Sequence, residues 1–257
     1  MGVSDPVVLH YGMGTNSLGM LCGLVERDER PDLILSADTQ GEKPRTYESL
    51  KEVQDWLVKI GWPKINVVRY KTKFGEELSL EDDCLRRGTL PSIAFGFKTC
   101  SQRWKVRPQD YFLRDWPLAQ ETWKKGGKVI KLIGYDAGEE RRAKPYSDEK
   151  FEVRYPLIKW GWDRDDCVAA IRRMGLKQPG KSACFFCPSS KKWEVAALER
   201  EHPELHARAL KMEENAKPNV SVAGLGRRFS WADVPFDVRQ IVEEPVQPEL
   251  PCGCFTD

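Results

Sequence analysis

Residues 7–17, Val-Val-Leu-His-Tyr-Gly-Met-Gly-Thr-Asn-Ser, restrict what this chain can fold into more than any other stretch. An apolar, β-rich run enters a turn with two glycines, and Ser17 then opens a helix-like segment over 18–29. Such a turn brings backbone N–H groups and the positive end of a helix dipole to the end of a strand, where they favour a phosphate or sulfate group. Gly12 and Gly14 supply φ freedom and leave no Cβ to hold an anion away. Tyr11, Gly12, Met13, Gly14, Thr15, Asn16 and Ser17 are therefore the candidate anion-binding residues. A plain strand-to-helix turn with Ser17 as the cap accounts for the same letters. No Gly-Lys-Ser/Thr closes the turn, so it is not the Walker form.

The segments that follow extend the pattern. Residues 32–36 read as a second buried strand, and a helix runs over 44–60 with Tyr47, Leu50, Val53, Trp56, Leu57 and Ile60 at helical spacing and Pro44 in its first turn. Residues 65–70 make a third strand and 128–134 a fourth. The βαβαβ order calls for an α/β fold: a parallel sheet with flanking helices and a ligand crevice at the strand C-terminal ends. The charged stretch 71–98 predicts helix and mobile loop, and one helix is expected from Ser101 toward Trp116. Helices are expected over 163–174, 193–201 and 204–215, with a short one near 236–242. The division expected is a nucleotide-type core over 1–160 and a helical, cysteine-bearing part over 161–257.

Composition narrows the class. With 257 residues, 40% apolar and 31% charged, and a net charge of +2, the chain reads as a globular protein whose charge alone does not announce a nucleic-acid partner. It holds no bilayer-length apolar run, so no membrane partner and a cytoplasmic location are expected. Thiols stay reduced in that compartment, which makes metal binding or catalysis a better use of eight cysteines than disulfides. Cys184-Phe-Phe-Cys187 is a knuckle able to share one metal, and Cys100, Cys252 and Cys254 are candidates to complete it. Zinc and an iron–sulfur cluster both fit such ligands. Cys22 and Cys167 read as core, and Cys84 as a bystander.

Basic residues recur beside each expected crevice loop. Lys98, Arg103, Lys105 and Arg107 surround Cys100, Arg141 and Arg142 follow the fourth strand after Gly134, and Arg227 and Arg228 sit in Gly-Leu-Gly-Arg-Arg-Phe. Arginine clamps phosphate or sulfate in bidentate fashion, and lysine acts as a point charge. Asp38, Thr39 and Glu42 close the second strand, where the carboxylates suit a ribose or adenine contact, a Mg²⁺ ion, or a cap for the helix at Pro44.

Taken together these motifs resemble the phosphoadenosine phosphosulfate (PAPS) reductase family of the PP-loop, adenine nucleotide α-hydrolase-like superfamily, and in particular the reductase-like proteins of phage genomes. Residues 11–17 stand where that family has Ser-Gly-Gly-x-Asp-Ser, 37–44 (Ala-Asp-Thr-Gln-Gly-Glu-Lys-Pro) are similar to its Asp-Thr-Gly-x-x-x-Pro, and 99–108 resemble its Cys-Cys-x-x-Arg-Lys-x-x-Pro. The second family motif, a CxxC further along, matches Cys184 and Cys187. Departures are Met13 for Gly, Asn16 for Asp, Thr99 for the first of the paired cysteines, and a tail without the family's Glu and His.

The resemblance implies an adenine nucleotide (ATP, or an adenylyl sulfate-type nucleotide) bound by residues 11–17 with Asp38, Thr39, Glu42, Gly134, Arg141 and Arg142, with Mg²⁺ as a candidate ion. It implies a 4Fe-4S cluster, with zinc as the alternative, on Cys100, Cys184, Cys187 and Cys254. Arg103, Lys105 and Cys252 are then the catalytic candidates. The expected activity is sulfur transfer to an adenylated acceptor. Reduction of a sulfonucleotide is the first alternative, and a non-catalytic, zinc-stapled nucleotide or nucleic-acid binding module the second. Expected partners are a sulfur- or electron-donor protein, with a nucleic-acid substrate and a homodimer as further candidates.

Overall fold

The computed structural model describes residues 5–234. Its elements, in chain order, are β1 (Val7–His10), α1 (Thr15–Glu26), β2 (Leu33–Asp38), α2 (Pro44–Lys59), β3 (Ile65–Arg69), α3 (Leu80–Arg87), α4 (Thr99–Ser101), α5 (Arg107–Asp115) and α6 (Pro117–Lys124), followed by β4 (Val129–Ile133), β5 (Phe151–Arg154), α7 (Pro156–Trp160), α8 (Arg164–Arg173), α9 (Lys192–Glu201) and α10 (Pro203–Ala216). The chain divides into two compact units. One comprises residues up to 37, 44–68 and 107–182; the other comprises 38–43, 69–106 and the residues from 183 onward.

The first unit is built on the sheet, in strand order β3-β2-β1-β4-β5. β1 runs parallel to both β2 and β4, and β4 parallel to β5; Leu9 stands opposite Ile34 on one side and Leu132 on the other. Every residue of β2 is buried, as expected of a strand covered on both faces. Alternation divides the apolar residues between two layers. Leu9 and Ile34 join Leu21, Val53 and Ile171 in one, and Val8 and Leu35 join Leu113, Ala119 and Val129 in the other.

Helices α1 and α8 pack closely in the first layer. A Cβ at Gly19 would stand 2.4 Å from the Cβ of Cys167, so this contact requires glycine. Cys22 and Cys167 are fully buried, as the apolar faces of their helices predict, and burial pushes both thiols up to about 12. Asp163 caps α8 by accepting from the backbone N–H groups of Asp165 and Asp166.

The second unit packs α3, α9 and α10 around Trp104, Phe186, Met212 and Trp231. α3 arises from the charged stretch by end signals: Ser79 accepts from the Asp82 N–H at 2.9 Å, three acids occupy the first turn, Arg86 and Arg87 the last, and Gly88 closes the helix at φ 56°. Cys84 lies on its inner face, 2% exposed, rather than among its surface charges.

The helix expected from Ser101 toward Trp116 is broken. Residues Gln102–Val106 form a π-helical segment between α4 and α5. Pro108 has no N–H to donate to the Trp104 carbonyl, so an unbroken α-helical ladder is not available there. The short helix expected near 236–242 lies outside the described residues. No described helix is long and apolar enough to cross a membrane.

Candidate functional site

In the sheet unit, the strand order reverses at β1: β2 and β3 follow on one side, β4 and β5 on the other. The loops after β1 and β4 therefore splay apart at the C-terminal edge of the sheet, the usual place for a ligand in this architecture. The structure places the expected anion-binding turn there and corrects its details. Helix α1 starts at Thr15, with Gly14 as its N-cap, instead of after Ser17. Ser17 lies one turn in, and its hydroxyl accepts from the Gly14 N–H at 3.2 Å and donates to the Gly14 carbonyl at 2.9 Å. The left-handed residue of the turn is Met13, at φ 59°, while Gly14 is extended at φ −108°. Neither Gly12 nor Gly14 has a positive φ.

Asn16 faces the β4 loop. Its amide donates to Asp136 at 2.8 Å and to Glu139 at 3.1 Å, while its Oδ1 is buried with no hydrogen-bond partner. The Thr15 hydroxyl lies 3.5 Å from an Arg164 guanidinium nitrogen and 3.4 Å from the Gln178 amide. Gly134 ends β4 against this turn: a Cβ there would stand 3.2 Å from the Ser17 Cα and 3.3 Å from the Asn16 carbonyl carbon. A side chain at 134 would therefore wedge the two loops apart. Arg142 pairs with Glu139 and covers the Tyr135 ring at 4.5 Å, whereas Arg141 is exposed.

Tyr11 is buried with its hydroxyl unpartnered, and burial raises its pKa. Below it in the strand, His10 Nδ1 bonds to the Gln109 side chain at 2.8 Å. Burial and the nearby Lys131 lower the His10 pKa to about 4, so it is neutral at pH 7. No motif in the sequence singles out Asp136, Glu139, Arg164 or Gln178, which the structure brings to Thr15 and Asn16. Position carries the signal for the first two, because they directly follow the strand next to β1 across the reversal.

In the second unit the knuckle is held by the segment after β2. The Phe185 N–H donates to the Gly41 carbonyl at 2.7 Å, and Glu42 forms a β-bridge with Cys184. The Thr39 hydroxyl and the Cys184 thiol hydrogen-bond at 3.1 Å. Cys187 N–H donates to the Cys184 carbonyl at 3.0 Å, closing the turn.

Lys105 and Glu42 are both buried and paired at 3.3 Å. Burial opposes the lysine charge, yet Glu42 and the thiols of Cys184 and Cys187 hold its pKa above the ordinary value. Burial raises the Cys184 thiol, with the Glu42 charge adding to the rise. Asp38 accepts from the Gln40 N–H at 2.7 Å and pairs with Arg69 at 3.2 Å.

Cys100 accompanies Cys84. Both line a cavity of about 210 Å³ together with Asp83, Arg87 and Arg103, and the Cys100 N–H donates to Ser92 at 2.7 Å. Arg103 reaches Asp83 at 3.4 Å and the Tyr70 hydroxyl at 3.0 Å. Cys184 and Cys187 share Lys105 as a neighbour and are the two thiols of a metal set that the structure brings together. Among the described residues, no group of three or more His, Cys, Asp or Glu side chains is placed to hold a metal ion. Cys252 and Cys254 lie outside the described residues. The thiols described here do not by themselves make a cluster site.

Neither a protein-family model nor a curated protein matches the chain. Among solved structures it is similar to the U34-tRNA thiolase NcsA from Methanococcus maripaludis with its 4Fe-4S cluster. The match has 14% identity, covers 88% of this chain and 77% of that chain, and has a TM-score of 0.43. A likeness of this size ties neither the thiolase's chemistry nor its cluster to this chain.

Proposed function

We propose that the chain is an adenine-nucleotide-dependent enzyme of the PP-loop type that transfers sulfur to an adenylated acceptor. The observation that carries the nucleotide half is the start of α1. A helix N-terminus lies at the reversal of the strand order, and its first turn holds a buried Asn16 Oδ1 without a partner. Free backbone N–H groups and the helix dipole favour the nucleotide phosphates, and Asn16 Oδ1 accepts from a ligand donor. Asn16 stands where the resembling family has a carboxylate, and here Asp136 and Glu139 supply that charge from the β4 loop.

In the reaction proposed, an acceptor oxygen attacks the α-phosphorus and pyrophosphate leaves. Hydrosulfide from a sulfur-donor partner then attacks the adenylated carbon, AMP leaves with the C–O electron pair, and loss of a proton to solvent leaves the thiocarbonyl. The loop N–H groups stabilise charge on the transferred phosphoryl group. The sulfur half rests on the Cys184–Cys187 knuckle beside Lys105, whose positive charge offsets only part of the rise that burial and Glu42 impose on the Cys184 thiol. Cys254 as a further ligand of a 4Fe-4S cluster, with Cys100 moving from the Cys84 cavity to the knuckle when the cluster binds, and Cys252 and Arg103 in catalysis, belong to the same proposal. Such a cluster, when bound, would supply sulfur-transfer chemistry.

The test is ATP-dependent release of pyrophosphate from anaerobically purified protein, with iron and sulfide analysis of the same sample. The proposal expects Asp136→Ala to abolish release. It also expects Cys187→Ser, but not Cys22→Ser, to lose the metal. Colourless, metal-free protein that still binds ATP would remove the sulfur half and leave a nucleotide-binding module.

A further inference from the structure

Residues 224–232 form a loop fixed from beneath by one carboxylate. Glu213 of α10 is buried and accepts from the N–H groups of Leu225 at 2.6 Å, Trp231 at 3.0 Å and Ala232 at 3.4 Å, and from the Ser230 hydroxyl. A buried acceptor satisfied by so many donors of one loop holds that loop in a single shape. Its tip then turns through Arg227 at φ 65°, a conformation that costs a non-glycine residue free energy.

Arg227 and Arg228 are both exposed, and neither forms an ion pair among the described residues. The Arg227 guanidinium lies 3.5 Å from the Cβ position of Gly96, whose neighbour Phe97 is 66% exposed and is followed by Lys98. Lys192 stands 5.5 Å over the Phe229 ring of the same loop. The surface therefore combines a left-handed backbone turn, cations with no ion pair among the described residues, and an exposed aromatic ring.

We propose that the surface formed by Phe97, Lys98, Arg227 and Arg228 binds single-stranded nucleic acid, with the Phe97 ring stacked on a base and the two guanidiniums on phosphates. Each component has a use in that partner. Exposed rings stack on any unpaired base, and guanidinium matches phosphate bidentately. A duplex hides its base faces, and an acidic peptide would engage the cations but give the ring no stacking partner. The proposal goes beyond the nucleotide reading and does not rest on it.

Fluorescence anisotropy of the full chain with a short labelled thymidine oligonucleotide tests it. Binding is expected to weaken steeply with salt. Phe97→Ala is expected to weaken it about tenfold. Arg227→Gly is expected to weaken binding and lower the salt slope by about one, although glycine relieves the left-handed backbone and leaves the melting temperature unchanged or higher. That opposition separates lost contact from lost fold. ATP titration of both variants, expected to match wild type, keeps this result distinct from failure of the nucleotide site. No binding at low salt, equal binding of the corresponding duplex, variants that bind like wild type, or displacement by polyglutamate at equal charge would each overturn the proposal.

Discussion

The two units bury charge in opposite ways. In the sheet unit, Asp136 is the one charged side chain in the buried class among the described residues, and it stands at the candidate nucleotide site. In the cysteine-bearing unit, Asp38, Glu42, Glu81, Asp83, Lys105, Glu194 and Glu213 are all buried. Each has a partner, some from its own element and some from elsewhere: Glu42 has Lys105, Glu81 has Arg208, Asp83 has Arg86 and Arg87 of its own helix and Arg103 from beyond it, and Glu194 accepts from the Lys191 N–H. Burying a charge is unfavourable unless it is paired or hydrogen-bonded. The first unit is therefore specified chiefly by apolar shape and spends its buried charge at one place. The second is specified by matched polar contacts throughout its interior.

Removing one partner should separate the two modes of construction most strongly. Glu42→Leu leaves the buried Lys105 ammonium without its carboxylate, and should lower stability by about 3–5 kcal/mol, read by urea unfolding. Glu42→Leu combined with Lys105→Met should recover most of that loss. A single variant as stable as wild type would break the contrast.

His10 gives a test within the sheet unit. Its pKa in the folded protein, about 4, lies below the ordinary histidine value of 6.5. Stability from keeping it neutral is fully present above pH 6.5 and is lost as the pH falls toward 4, by at most about 3 kcal/mol. The melting temperature of wild type should therefore drop across that window more than that of His10→Gln. Parallel profiles would remove the burial account.

The smallest effect sharpens the account of how charged sequence becomes helix in the second unit. Ser79→Ala removes the cap of α3 and should lower stability by about 1 kcal/mol, measured in the same urea series. No change would place the start of α3 under tertiary control.

The same contrast explains what could be read from the letters. β1, β2, β3 and β4 follow from apolar runs punctuated by turns, and their βαβ order puts a crevice at the strand C-terminal ends, so the position of the candidate turn at the end of β1 was legible; the pairing of β4 with β1, which makes the reversal, was not. The fine structure of the turn was not either, because Met13 takes the left-handed conformation that glycine would supply without strain. Lys105, expected among the cations around Cys100 as a catalytic candidate, is buried against Glu42. Between it and its partner Glu42 lie one strand, β3, and three helices, α2, α3 and α4, and no local spacing announces the pairing. Likewise nothing in the letters pairs Asp136 with Asn16, and their contact exists because β1 and β4 are neighbours. Cys84 read as a bystander because the acids and arginines around it mask the inner face of a short helix.

Calorimetric titration of ATP into wild type and Gly134→Val tests the central claim most directly. At 134 a Cβ would stand 3.2 Å from the Ser17 Cα, between the two loops said to hold the nucleotide. The account predicts one-to-one binding by wild type and none by the variant, with circular dichroism showing the fold retained. ATP bound equally by both proteins, or by neither, would contradict it.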